Sequence, residues 1–213
     1  MHYIKQEITK LMLLKLYKFF FISLPTFFSC LTSGLKYNST WNVVGCPVII
    51  RRKWYEKIFT KHNGGKLIIG NHFCCNNKID SNSLGLIQPC VFNIAIDGSK
   101  IIIGNNVGIS GATLNSAEEI RIGNNVLIGS GCIISDTNSH PIEYGSRVIN
   151  DMSKTKTAPI YIKEGAFVGA RCIIMKGVTI GAHSIVGAGS VVTKSVPDNC
   201  IVGGNPARII RYL

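Results

Sequence analysis

Near the middle of the chain, Asp136-Thr137-Asn138-Ser139-His140-Pro141 sets a histidine in a polar stretch that runs on through Tyr144, Arg147, Asn150 and Asp151. Histidine is the side chain whose ordinary pKa lets it be neutral near pH 7 and take a proton from a hydroxyl. A base of that kind suits group transfer onto an alcohol. The plain alternative is a surface histidine in a polar loop, and the scaffold decides between the two. Metal chemistry finds no support in the spacing. The five histidines (His2, His62, His72, His140, His183) are scattered, and no CxxC pair occurs among the eight cysteines.

The polar stretch interrupts a repeat. From Ile162 to Val192 a branched aliphatic residue stands at every sixth position: Ile162, Val168, Ile174, Ile180, Val186, Val192. Glycine follows three of them, at Gly169, Gly181 and Gly187. A period of two or of 3.6 does not give this beat. It predicts stacked short coils, in which each six-residue side supplies one inward aliphatic and then turns a corner. Upstream the beat returns as Ile122, Ile128, Ile134, with weaker copies beginning at Ile69-Gly70 and Ile103-Gly104. Asn105-Asn106 and Asn124-Asn125 suit corners, since asparagine tolerates positive φ. A sandwich does not predict a strict six. Ile134 and Ile162 are 28 residues apart, four more than a multiple of six, so Ser135–Pro159 is an insertion out of phase. Long loops leaving rigid scaffolds are preferred places for function.

Charge is uneven. Residues 1–60 hold nine Lys/Arg against Glu7 and Glu56, which gives +7 of a formal net charge of +12. That suits an anionic partner: an acidic glycan, a membrane surface or a phosphorylated cofactor. Nucleic acid is not expected, because no basic helix, zinc-finger spacing or aromatic RNA-binding signature accompanies the charge. Leu11 to Leu31 is the most apolar stretch, but Lys15, Lys18 and Pro25 argue against a signal peptide and a membrane span. Two compatible readings stay open. One is a helix capping the first coil; the other is a basic, aromatic-rich element on the inner membrane face. The cysteines read as reduced core residues of a cytosolic protein, with Cys132 and Cys172 inside the repeat. The expected organisation is a helical, basic capping or membrane-proximal element over 1–65, coils over 66–195 with the insertion 135–159, and a tail over 196–213.

Two further segments complete a pattern with the repeat and the histidine loop. They are Gly187-Ala188-Gly189-Ser190-Val191-Val192-Thr193-Lys194-Ser195-Val196-Pro197-Asp198-Asn199 and Gly203-Gly204-Asn205-Pro206-Ala207-Arg208. Together these features resemble the hexapeptide-repeat acyltransferases. The likeness is to the branch of maltose, galactoside and nodulation-factor acetyltransferases and the O-acetyltransferases of capsular polysaccharide and lipopolysaccharide. It covers roughly residues 66–213.

The resemblance implies an all-β core, a left-handed parallel β-helix, and a homotrimer with active sites between subunits. By that analogy His140 is the general base that takes the proton of an acceptor sugar hydroxyl as its oxygen attacks acetyl-CoA. Asp136 or Asn138 is a candidate to orient it. Related loops often read Asp-x-Asp-x-His, and here the second position is Asn138. Asn138, Arg147 and Asn150 would hold the acceptor or the loop. Gly169, Ala170 and Ala188 match positions where the pantetheine arm runs beside small residues. Thr193 follows on the next coil of the cofactor side, and Lys194, Arg208 and Arg211 suit the phosphates of CoA. Phe167 stands where the family usually has tryptophan, which keeps an apolar face and loses an N–H donor. No metal is implied, and no cysteine is a nucleophile.

Rival functions are an acetyltransferase for a drug or small metabolite, and a non-catalytic coil scaffold. Serine acetylation would need a long N-terminal helical domain that is missing, and a zinc hydratase would need a pair of histidines five residues apart, absent here. Ice-binding scaffolds would show a Thr-x-Thr ladder, also absent.

Overall fold

The computed structural model describes residues 12–13, 15–16, 19–33, 38–50, 65–94 and 96–213. Its body is a left-handed parallel β-helix whose three faces are three parallel sheets. The first face stacks Asn42–Val44, Cys74–Asn76, Gly108–Ser110, Leu127–Ile128, Phe167–Val168, Ile185–Val186 and Cys200–Gly204. The second stacks Val48–Ile50, Val91–Asn93, Thr113–Asn115, Ile133–Ser135, Ile173–Ile174 and Val191–Val192. The third stacks Lys66–Ile69, Lys100–Ile103, Glu119–Ile122, Ile160–Ile162 and Thr179–Ile180.

The six aliphatics of the beat fall two to a face, in register. Val168 pairs with Val186, Ile174 with Val192, and Ile162 with Ile180. All six are buried, and the ladders continue downward through Ile128, Ile134 and Ile122. Each such side chain contributes about 1.5–3 kcal/mol before the entropy of ordering is charged against it. The residue two places earlier on each side also points inward. On the second face this inner position reads Cys90, Ala112, Cys132, Cys172, Ser190, all fully buried apart from water. None of the eight cysteines forms a disulfide, and six of them are buried. Corners fall on Asn106, Asn125, Arg171 and His183, whose φ values lie between 56° and 58°.

The coils reach further than the beat does at both ends. Asn42–Val44 and Val48–Ile50 already pair in parallel with the next coil, so coiling begins before residue 66. The excursion Asn77–Cys90 lengthens a coil and hides the period in the sequence. Past residue 195, Cys200–Gly204 joins the first face and Ala207–Tyr212 turns back antiparallel on it. The segment expected as a tail is therefore a hairpin, because its inward residues Cys200 and Val202 continue the core ladder.

At the other end, a π-helical turn Phe19–Ser23 leads into an α-helix, Leu24–Ser33. Thr26 and Cys30 are fully buried, and Thr26 Oγ1 accepts the Val43 N–H at 3.0 Å. No helix among the described residues is long and apolar enough to cross a membrane. Lys18 and the basic run Arg51, Arg52, Lys53 lie outside the described residues.

Candidate active site

The histidine loop leaves the second face after Ile133–Ser135 and returns at Ile160–Ile162 of the third. Its base is tied. Thr137 bridges Thr157 in antiparallel fashion, the Asn138 N–H donates to Lys156 O at 3.1 Å, and the Ala158 N–H donates to Asp136 O at 2.9 Å. Thr157 Oγ1 donates to Glu118 Oε2 at 2.9 Å, fixing the neck to the coil below. Ser139, at φ 60°, turns the chain, with its N–H donating to Thr137 Oγ1 at 3.0 Å. His140 follows at once, exposed to solvent, so a rigid two-stranded neck delivers a free imidazole.

Asp136 and His140 do not meet through a hydrogen bond. The Asp136 carboxylate is fully buried and faces the previous coil, accepting the N–H of Ala117 at 2.6 Å and of Glu118 at 2.9 Å. Ser116 Oγ lies 3.0 Å from its second oxygen. Among the described residues no side chain hydrogen-bonds the imidazole. The Asn138 carboxamide has a buried Nδ2 without a hydrogen-bond partner, two residues from His140.

Beyond the neck the loop forms a short helix, Tyr144–Val148. Arg147 Nη1 donates to Ile142 O at 2.9 Å, folding the guanidinium back on the loop. Asn150 ends the helix at φ 55°, its N–H donating to Arg147 O. Both residues thus shape the loop through contacts within it.

The residues matched to the cofactor divide between two faces. Thr193 and Lys194 follow Val191–Val192 on the second face, two strands beyond the root of the histidine loop. Phe167, Gly169, Ala170 and Ala188 lie on or just past strands of the first face. Phe167 is half-exposed and stands in register between Leu127 and Ile185, with Ile201 next, so the outer surface there is an apolar stripe. Gly169 is explained by packing alone. A Cβ there would lie 2.6 Å from Ala188 N and 2.8 Å from Val186 O of the next coil. Ala170 and Ala188 flank that close approach, and the Ala170 carbonyl accepts the Gly189 N–H at 2.8 Å.

At the C-terminal end, Lys194 and Arg208 line one cleft of about 230 Å³ with Ser195, Pro197 and Ile209. Arg211 stands on the same hairpin, paired with Ile201. The cleft brings together two of the cations the sequence placed fourteen residues apart. The sequence reading missed the partners of the loop neck, Ser116 to Glu118 and Thr157. Their signal was available in the repeat, since Asn115 and Ser135 are in register and put residue 116 beside residue 136.

Comparison with known proteins agrees with this architecture. The model for the bacterial transferase hexapeptide (six repeats) matches residues 159–194, and that for the hexapeptide repeat of succinyl-transferase matches 119–148. The chain is 38% identical over 117 residues to a galactoside O-acetyltransferase of Escherichia coli K12, covering 54% of this chain and 56% of that protein. It spans about half the length of the curated relatives it matches. Among solved structures, a maltose O-acetyltransferase from Clostridium difficile 630 superposes with a TM-score of 0.50 at 26% identity, over 70% of this chain and 68% of that one. A variant N-acyltransferase from Bacillus cereus, in complex with dTDP-4-amino-4,6-dideoxyglucose and coenzyme A, gives a TM-score of 0.50 at 25% identity, over 69% and 77%. The sixfold ladders, the tied loop and both repeat matches agree, and over its coils the chain is similar to the hexapeptide-repeat acyltransferases.

Proposed function

We propose that the protein is an acetyl-CoA-dependent O-acetyltransferase acting on a sugar hydroxyl of a surface polysaccharide or its lipid-linked precursor, with His140 as general base. The observation that carries this reading is the presentation of an exposed histidine by a hydrogen-bonded neck on a coil scaffold. The carbohydrate names of the relatives support the acceptor class, and the coenzyme A complex of the Bacillus cereus protein supports the donor.

In this reading the acceptor hydroxyl passes its proton to His140 as its oxygen attacks the thioester carbonyl. Backbone N–H groups stabilise the tetrahedral oxyanion. The C–S bond then breaks, and the departing sulfur of CoA takes up the proton from His140. No acyl-enzyme forms. Lys194, Arg208 and Arg211 supply positive charge for the CoA phosphates, Ala170, Ala188 and Thr193 line the path of the pantetheine arm, and Phe167 offers an apolar face. Asn138 holds the acceptor. The working form is a homotrimer in the cytoplasm, each site shared between neighbours.

The test is transfer of radiolabelled acetyl from acetyl-CoA to a panel of surface glycans. Alkali-labile label in a glycan is expected. Label only in small alcohols or drugs would move the protein to the small-molecule reading. A chain whose melting temperature acetyl-CoA does not raise is a scaffold, since a ligand of the folded state must stabilise it.

A further inference from the structure

The helix Leu24–Ser33 is amphipathic in the reverse sense. Of its described side chains, the two buried against the first coil, Thr26 and Cys30, are small, and one is polar. Leu31, on the far side of the helix from Thr26, is 64% exposed. In the helical turns before it, Met12, Leu13, Leu16, Phe19 and Phe20 are each between 45% and 60% exposed. A helix packed on a protein core turns its large apolar side chains inward, and a cluster of exposed ones marks a contact surface.

Charge decides what covers it. Lys5, Lys10, Lys15 and Lys18 stand against Glu7 in this segment, within the +7 of residues 1–60. A second copy would bring the same positive excess to the contact. An anionic leaflet brings the opposite sign at its headgroups and an apolar layer beneath them.

We propose that this face docks in an anionic bilayer leaflet, so that the acceptor is a glycan tethered to a lipid of the same membrane. The acceptor half of this inference rests on the function proposed above; the docking half does not. The geometry is consistent. Ile133–Ser135, the root of the histidine loop, is the fourth strand of its face counted from Val48–Ile50. Three steps of about 4.8 Å put it roughly 14 Å from the first coil along the stack. With one helix diameter of about 10 Å added, the base stands within reach of the first sugars of a lipid-borne chain.

Flotation of the full chain with phosphatidylcholine vesicles, with and without phosphatidylglycerol, tests the docking. The native chain is expected to float with the phosphatidylglycerol vesicles and to be released by salt. Phe20→Glu and Leu31→Glu should each weaken partition at least about tenfold, since each removes a large apolar side chain from the contact, with melting temperature unchanged. A native chain that stays unbound, or variants that float equally well, would overturn the proposal. So would self-association lost in Leu31→Glu without vesicle binding, which would make a second copy the occupant. The acceptor half is read by comparing one glycan free in solution and the same glycan on a lipid in those vesicles. Leu31→Glu should slow transfer to the tethered form and spare the free form; equal loss on both would contradict it. Flotation needs no donor, so a native chain that binds vesicles but acetylates neither form faults the enzymatic reading and leaves the docking standing.

Discussion

Asp136 and His140 look like partners on paper, four residues apart in a polar stretch, and the fold gives them different work. The Asp136 carboxylate holds two backbone N–H groups of the previous coil, out of water. Asp136→Ala leaves those donors buried and unpaired, and should cost about 3 kcal/mol in denaturant unfolding. A helper that acts on the imidazole would instead lower kcat with stability intact, so the two roles separate in one pair of measurements. Asn138 is the opposite case. Its Nδ2 is buried and unpartnered, which is unfavourable in the free protein. Asn138→Ala should leave stability unchanged or higher while raising the acceptor KM roughly tenfold, the loss of about one hydrogen bond to a sugar oxygen; an unchanged KM would remove Asn138 from the acceptor site. Residue types alone carried the histidine. They did not carry these differences, because what a carboxylate or an amide faces is set by the coil below it.

The coil itself is the most legible element. One inward residue per six is a strong constraint, and Ile162, Val168, Ile174, Ile180, Val186 and Val192 state it without a gap. The second coil was not legible from the period, since the excursion Asn77–Cys90 lies between two of its sides. The C-terminal hairpin was hidden for a related reason: Ala207–Tyr212 is exposed along most of its length and has no inward period to read. Gly169 shows how one signal can have two causes. Its position suited close approach of a cofactor, and the structure places the next coil there instead. Gly169→Ala should therefore destabilise the fold by about 1–3 kcal/mol, the usual cost of overpacking, in thermal or urea unfolding. Unchanged stability with weakened CoA binding would restore the cofactor as the reason for glycine.

At the scale of the whole molecule, the proposed site is divided. The loop root and Lys194 share the second face, while Phe167, Ala170 and Ala188 belong to the first. A shared site between neighbouring subunits would unite such groups. Sedimentation should then give a mass of about 70 kDa, three times the 23.2 kDa chain, and a 23 kDa species active alone would contradict it. Mixing His140→Ala subunits with Phe167→Ala subunits should recover activity above that of either variant alone, because the two groups lie on different faces and some interfaces receive both native ones. The most direct test of the central claim is acetyl transfer from labelled acetyl-CoA to an accepted glycan, native chain against His140→Ala, with acetyl-CoA binding measured in both. Loss of transfer by a hundredfold or more, at unchanged acetyl-CoA affinity and melting temperature, is the predicted result. A His140→Ala chain that transfers acetyl at the native rate would show that the loop histidine is not the base.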